Sequence, residues 1–432
     1  MSPFIIFIAL FVLVFLIRIP IGPGMIVAST IYFYLTPDIL SSSPRLVSQL
    51  FLNNMMVRYV LLAVPLFVFM AEIMNSGKVT DLIFDFANVL IGKKHGALGH
   101  VNVVASLIFS GMTGSALADA SGLGSMEIKS MIDNGYDPAF SSAITASSAI
   151  IGPIFPPSIP MVLYSMLSGA SIGALFLGGM IPALLIGLAL MVYITIISKK
   201  RNYPVGEYVA FRKFVMVSLK TFPALFTVVL LLGGIYGGIV TPTEAGALAS
   251  LYALIISSVV YRALGWRSFM EVVKKTVITT ATLTIIIGAA YSFSYIVAIE
   301  GIPQAMASTL LGITDNKYIL LLIINILFLI LGMFIDTTCI ILVFIPMVVP
   351  MVALLGIDLV HFGVLITINM MIGLATPPFG LLLFVVSGIS KTPLREIIRE
   401  IFPMLIVLIF VLFLITYFDS IVLFLPRLLG FV

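Results

Sequence analysis

The chain has little of what a soluble enzyme or a nucleic-acid binder depends on. Charged residues make up 9% of its 432 positions, against roughly 25% in an ordinary soluble domain, which excludes a water-soluble enzyme. Its 22 Lys and Arg are scattered rather than clustered, which excludes a nucleic-acid surface. A single cysteine, Cys339, rules out an intramolecular disulfide. His95, His100, His361 and Cys339 show no metal-ligand spacing, which argues against zinc. No G-x-x-x-x-G-K-S/T segment occurs, so the chain brings no phosphate loop of its own. Its apolar start, Met1 to Ile17, lacks the basic opening of a signal peptide, and a second apolar run follows Arg18 directly. It reads as a first membrane helix.

Apolar residues fill the space left by charge: 61% of the chain, with a mean hydropathy of +1.25. Runs of about 17–25 apolar residues, enough to cross a bilayer, recur from end to end. A transmembrane barrel would need alternating segments of about ten residues instead. The expected class is an all-α polytopic membrane protein.

Shifted by 221 positions, the sequence matches itself. Gly111-Met112 meets Gly332-Met333, Gly135 and Asp137 meet Gly356 and Asp358, and Ile151-Gly152 meets Ile372-Gly373. Pro156-Pro157 meets Pro377-Pro378, Pro182 meets Pro403, and Ala28-Ser29 meets Ala249-Ser250. Six Gly or Pro coincidences fall between 111 and 182, where composition alone gives about one. The expectation is two repeats, 1–214 and 215–432. Charge sets their orientation, because cytoplasmic loops collect Lys and Arg. The stretch 78–94 holds Lys78, Lys93 and Lys94, while 299–315 holds Glu300 and Asp315 and no cation. The stretch 170–178 is uncharged, while 391–399 holds Lys391, Arg395 and Arg399. Opposite bias in matching loops indicates inverted topology, with an odd number of crossings in each repeat.

Crossings are expected at about 4–18, 21–36, 55–75, 139–168 and 171–198, then at 222–240, 243–261, 276–298, 361–388 and 400–418. With Arg18 and the basic loop 199–220 inside, both termini lie outside. The remaining regions, 96–134 and 318–355, read as re-entrant hairpins, the first open to the cytoplasm and the second to the outside.

Helix must break at four places. Ser110 to Ser115 is a Gly/Ser/Thr cluster at the first hairpin tip, and Gly152-Pro153-Ile154-Phe155-Pro156-Pro157-Ser158 interrupts the next crossing. Gly332 to Thr338 and Gly373 to Gly380 repeat the pattern. Consecutive prolines remove backbone donors and disfavour helix at the residue before them. The carbonyls freed in this way survive in a membrane only where they line a cavity or bind something. Unwound carbonyls, hydroxyls and helix C-terminal ends suit a small cation such as Na⁺, and half-helix N-termini suit an anion. One cation site is expected from Ser110, Thr113, Gly152, Phe155 and Pro157, a second from Gly332, Gly373, Thr376 and Phe379. A Pro-Pro break can also be a mere kink; two at matched positions, each after a polar hairpin, favour sites. Three acids stand at membrane depth or near it. Asp119 and Asp336 read as functional, with helix capping the alternative for Asp119. Glu244, after Thr241-Pro242-Thr243, reads more as an ordinary helix start. The tail 418–432 has no functional reading.

These residues form a pattern. Gly-Ser-Ala-Leu-Ala-Asp (114–119), Gly-Tyr-Asp-Pro-Ala-Phe (135–140) and Gly-Pro-Ile-Phe-Pro-Pro-Ser-Ile-Pro (152–160) are followed by Thr-Pro-Thr-Glu-Ala-Gly (241–246), Gly-Met-Phe-Ile-Asp (332–336) and Thr-Pro-Pro-Phe-Gly (376–380). Together and in this order, over nearly the whole chain, they resemble the large membrane subunit of tripartite ATP-independent periplasmic (TRAP) transporters. The resemblance implies secondary active uptake of an organic acid across the inner membrane, with Na⁺ as coupling ion and no other cofactor. It implies an elevator, in which hairpins and broken helices move against a scaffold. It implies a small membrane subunit and a periplasmic substrate-binding protein as partners. No extra four-helix segment opens this chain, so the small subunit is expected to be a separate polypeptide. Substrate and coupling candidates lie at the hairpin tips and Pro-Pro breaks: Ser115, Asp119, Pro156, Ser158, Asp336, Thr337, Pro377 and Pro378. Which acid is carried, whether a sialic acid, a C4-dicarboxylate or another small carboxylate, stays open. The alternative is a related inverted-repeat carrier for dicarboxylates that works without a binding protein. A channel would not accumulate substrate, and an intramembrane aspartate enzyme would need Asp119 and Asp336 brought together from opposite halves.

Overall fold

Apolar runs with no water to bond must satisfy their backbone groups internally, and helices do so here. A computed structural model describes residues 3–17, 19–36, 45–57, 59–75, 78–314 and 316–432. The chain opens with α1 (Pro3–Leu16), α2 (Ile21–Leu35), α3 (Arg45–Val57), a 3-10 turn (Tyr59–Leu62), α4 (Ala63–Asn75) and α5 (Val79–Ile91). It continues through α6 (Ala97–Thr113), α7 (Ala116–Ser121), α8 (Leu123–Asp133), α9 (Pro138–Ala149), α10 (Ile159–Ser168) and α11 (Ile172–Lys200). Next come α12 (Phe211–Tyr236), α13 (Pro242–Ile255, prolonged by a π turn to Val260), α14 (Trp266–Ile299), α15 (Ile302–Ile313) and α16 (Lys317–Phe334). The last are α17 (Thr337–Leu354), α18 (Leu359–Leu374), α19 (Leu381–Ser390), α20 (Leu394–Tyr417) and α21 (Ser420–Leu428). Among the described residues, 7 helices are long and apolar enough to cross a membrane: α11, α12, α13 with its turn, α14, α16, α17 and α20.

Several boundaries keep the 221-residue offset. Moved by that amount, α6 falls on α16, the pair α7 and α8 on α17, and α10 within one residue of α19. The interrupted stretch α3, turn and α4 falls on the continuous α14, 34 residues long. So the crossing expected at 55–75 begins earlier and is broken, and the one at 276–298 starts ten residues sooner, at Trp266.

The loops expected at 78–94 and 299–315 contain helices, α5 and α15. Hydropathy passes over α5 because its 13 residues reach only about 20 Å, short of the ~30 Å hydrocarbon core. Its Val79, Ile83 and Ala87 are buried at helical spacing while Asp81 and Asp85 stay exposed. Arg18 and Asp315, which entered the charge pattern, lie outside the described residues.

Two groups of contacts organise the helices. In one, α14 lies against α2, α3 and α4, α13 against α4, and α12 against α5 and α13. In the other, the arms cross: α10 packs on α17, whereas α19 packs on α7, α8 and α9. Each arm beyond a Pro-Pro break therefore rests on the hairpin from the other part of the chain. Gly363 makes one such crossing close, because a Cβ there would stand 2.3 Å from the ring of Tyr164. The Tyr164 hydroxyl donates to the Leu359 carbonyl at 2.8 Å, tying α10 to the start of α18.

Candidate functional site: two helix breaks facing two hairpin tips

Helix α9 stops at Ala149 and the chain turns on itself before α10. Gly152 N donates to Ala149 O (3.1 Å) and Phe155 N to Ile151 O (3.0 Å). Ser158 then caps α10: its Oγ accepts from Met161 N at 3.2 Å and donates to the Pro153 carbonyl. The second break is built alike, with Thr376 N donating to Gly373 O at 2.9 Å. The Pro156–Pro157 and Pro377–Pro378 bonds are both cis.

The first hairpin tip meets the first break. Gly114 ends α6 in a left-handed conformation (φ +61°), and a Cβ there would lie 2.4 Å from the Pro157 carbonyl oxygen. A Cβ on Gly152 would lie 3.4 Å from the carbonyl carbon and oxygen of Ser115. The structure thus brings Gly114, Ser115, Gly152 and Pro157 together. Ser110 and Thr113 are buried in the same stretch of α6, and their hydroxyls donate to their own helix, to Leu107 O (2.6 Å) and Phe109 O (3.4 Å). Phe155 is half-buried and Pro156 buried.

At the second break backbone meets backbone. A Cβ on Gly373 would stand 2.7 Å from Gly332 Cα, and Gly380 N donates to Met333 O at 3.2 Å. Thr376 is buried and donates to Ile372 O at 2.6 Å. Phe379 is 55% exposed, its ring 5.3 Å from that of Phe334. Pro377 is half-buried and Pro378 exposed. Gly332, Gly373 and Thr376 come together, and the ring of Phe379 lies against Phe334 at the same hairpin end.

The acids separate into two kinds. Asp336 caps α17, its Oδ1 accepting from Thr338 N at 2.9 Å, and Thr337 beside it is buried with an unpartnered hydroxyl. Glu244 closes a capping box with Thr241 at the exposed start of α13. Asp119 has no capping role, because Ser115 caps α7 instead. It is 1% exposed, and the Ser106 side chain is the polar group beside its carboxyl. Glu127 of α8 is buried too: 1% exposed, unpartnered and within electrostatic reach of Asp119. Two acids buried in one interior persist there only if a proton or a nearby cation neutralises them. The sequence reading passed over Glu127. The available signal was its place among Leu123, Gly124, Ile128 and Met131, a stripe at helical spacing that is buried throughout.

A polar ladder joins this hairpin to α9. Asn102 Nδ2 donates to Thr145 Oγ1 (2.7 Å), Ser148 Oγ to Asn102 Oδ1 (2.6 Å) and Ser106 Oγ to Ser148 Oγ (3.2 Å). Between α16 and α18 a smaller set does the same, with Asn369 Nδ2 donating to Asn325 Oδ1 at 2.9 Å. Such ladders fix hairpin and broken helix as one body.

Residues 7–421 match the family model described as tripartite ATP-independent periplasmic transporter, DctM component. The chain is 45% identical over 409 residues, 95% of each chain, to a Vibrio cholerae protein described as sialic acid TRAP transporter large permease protein SiaM. It is 38% identical over 428 residues, 98% of this chain and 68% of the other, to the Haemophilus influenzae sialic acid TRAP transporter permease protein SiaT. To the Pseudomonas aeruginosa C4-dicarboxylate TRAP transporter large permease protein DctM it is 37% identical, over 86% of this chain and 87% of the other. The fold is similar to that of the solved YdaH transporter of Alcanivorax borkumensis, with a TM-score of 0.66 at 13% identity, covering 92% of this chain and 97% of that one.

Proposed function

The chain belongs to the tripartite ATP-independent periplasmic transporter family, as its DctM component, and we propose that it carries an organic acid of the sialic acid or C4-dicarboxylate class inward on a Na⁺ gradient. Its partners are a small membrane subunit and a periplasmic substrate-binding protein, and it works in the inner membrane with both termini outside. Two inverted repeats, 1–214 and 215–432, supply one hairpin and one broken helix each. Together they form the moving body of an elevator, and the group around α2, α4, α13 and α14 forms its scaffold.

One observation carries the reading: each Pro-Pro break lies against a hairpin end, with freed carbonyls and small residues at the junction. Gly114, Ser115, Gly152 and Pro157 make one junction, and Gly332, Gly373 and Thr376 the other. Such a junction offers oxygens to a cation without a fixed charge. The capped starts of α10 and α17 offer N–H groups to a carboxylate. A membrane potential of ~100 mV supplies about 2.3 kcal/mol per charge moved inward. Two Na⁺ travelling with a monoanion carry a net positive charge, so potential and Na⁺ gradient both drive accumulation.

The test is uptake into proteoliposomes holding this chain and its small subunit, with a candidate binding protein, an imposed Na⁺ gradient and a panel of labelled acids. Accumulation that disappears when Na⁺ or the binding protein is omitted supports the proposal and names the substrate. Accumulation without the binding protein would move the chain to a stand-alone mode and remove that partner.

A further inference from the structure

A cavity of about 520 Å³ lies between the turn entering α6 and the end of α11. Lys93, Lys94, His95, His100, Thr195 and Lys199 line it. No carboxylate is among its lining residues, and none of the three lysines makes an ion pair with another described residue. Its floor is pinned: Gly206 N donates to Lys94 O (2.9 Å), Gly96 N to Pro204 O (3.1 Å), and His95 forms a bridge with Val205. Gly96 is required for this closeness, since a Cβ there would sit 2.0 Å from Ser198 Oγ.

His100 supplies an independent sign of a ligand. It is 3% exposed, and its Nε2 lies 3.3 Å from Thr195 Oγ1. Thr195 gives its own hydrogen to Met191 O at 2.9 Å, so Nε2 is the donor in that contact. Nδ1 is then left buried without a partner. As a neutral imidazole nitrogen it can accept from a protonated phosphate oxygen.

The equivalent place 221 residues on makes a control. A cavity of about 540 Å³ there contains Thr416 and Leu321, which correspond to Thr195 and His100. Its cations are matched by acids: Arg427 lies 3.8 Å from Asp419, and Asp358 also lines the wall. Its His361 is bonded to the Ile415 carbonyl at 2.9 Å.

We propose that the cavity at Lys93, Lys94, His100 and Lys199 binds a phosphate group, supplied by the headgroup of an anionic phospholipid or by a soluble phosphate. Unpaired lysines are strong point-charge partners for phosphate, and basic pockets between membrane helices on the cytoplasmic side bind anionic headgroups.

The experiment is native mass spectrometry and thermal unfolding of the full chain in detergent. It is titrated separately with cardiolipin, phosphatidylglycerol, phosphatidylcholine and inorganic phosphate. The expected result is at least about tenfold tighter binding of cardiolipin or phosphatidylglycerol than of phosphatidylcholine. That preference falls about tenfold in Lys94→Gln/Lys199→Gln, is kept in Lys94→Arg/Lys199→Arg, and is untouched by Lys317→Gln at the second cavity. Equal protection by inorganic phosphate, lost in the same variant, assigns the site to a soluble anion. Should the glutamine variant fail to fold, His100→Gln with the arginine variant provides the comparison. Wild-type chain that shows neither lipid preference nor phosphate protection overturns the proposal, as does a preference that survives loss of both lysines.

Discussion

The break at 150–158 is enclosed, and the break at 375–380 opens outward. Pro156, Pro157 and Ser158 are buried, whereas Pro378 and Phe379 are exposed. The cause lies in the helices laid over them. Gly179 of α11 lets that helix rest on the first break, because a Cβ there would stand 2.2 Å from the Ile154 carbonyl oxygen. The position 221 residues later, in α20, is Glu400, whose carboxylate reaches away to Arg201 at 2.9 Å. A Pro-Pro pair therefore dictates that the helix breaks, and its neighbours dictate who can reach it. Under the proposed coupling, the enclosed break would suit an ion held throughout a cycle, and the open one an ion or substrate that arrives last.

The difference can be broken most forcefully at Gly114. Gly114→Ala adds a Cβ against the Pro157 carbonyl at a left-handed position. We expect about 3 kcal/mol or more of lost stability, read as a fall in detergent melting temperature, with uptake abolished. Gly380→Ala, at φ +41° beside the open break, should cost less. Equal shifts in the two would contradict the contrast between enclosed and open.

A second comparison sets Asp119 against Asp336. Asp119→Asn removes a buried ionisable group, and uptake should fall about tenfold or more, equivalent to ~1.4 kcal/mol in the transport barrier. Asp336→Asn keeps a good cap on α17, so uptake should change by less than about threefold. Size-exclusion profiles check that both variants assemble. A tolerant Asp119 would remove it from the coupling machinery.

The hydroxyls give a finer test. Ser115→Ala and Thr376→Ala each delete one oxygen at a proposed cation site. Each should raise the Na⁺ concentration for half-maximal uptake about five- to tenfold, in line with ~1 kcal/mol per lost polar contact. Smallest of all is Glu244→Gln, where the capping box sits exposed at the start of α13. Na⁺ dependence there should match wild type in the same uptake assay.

What could be read in the sequence was what Gly and Pro punctuate. Gly152, Pro156 and Pro157 announce a break, as do Gly373, Pro377 and Pro378, because no helix passes consecutive prolines unharmed. The helix interruptions fell where expected, to within a few residues. Three features stayed hidden, the first two because they depend on packing and the third because its helix is short and carries acids. Gly114 and Ser115 meet Pro157 and Gly152 only after some forty residues of intervening chain have folded. Glu127 sits between Met126 and Ile128 and reads as one solvated charge until its helix face is seen to be buried. Helix α5 carries Asp81 and Asp85 among its apolar residues and passes for loop on hydropathy alone.

The most direct measurement is the Na⁺ activation curve of uptake in wild type, Ser115→Ala and Thr376→Ala proteoliposomes. Two coupled cation sites predict a sigmoidal wild-type curve with a Hill coefficient between one and about two, falling toward one in each variant. A wild-type rate independent of Na⁺, or a curve unaltered by both substitutions, would contradict the assignment of coupling ions to the two breaks.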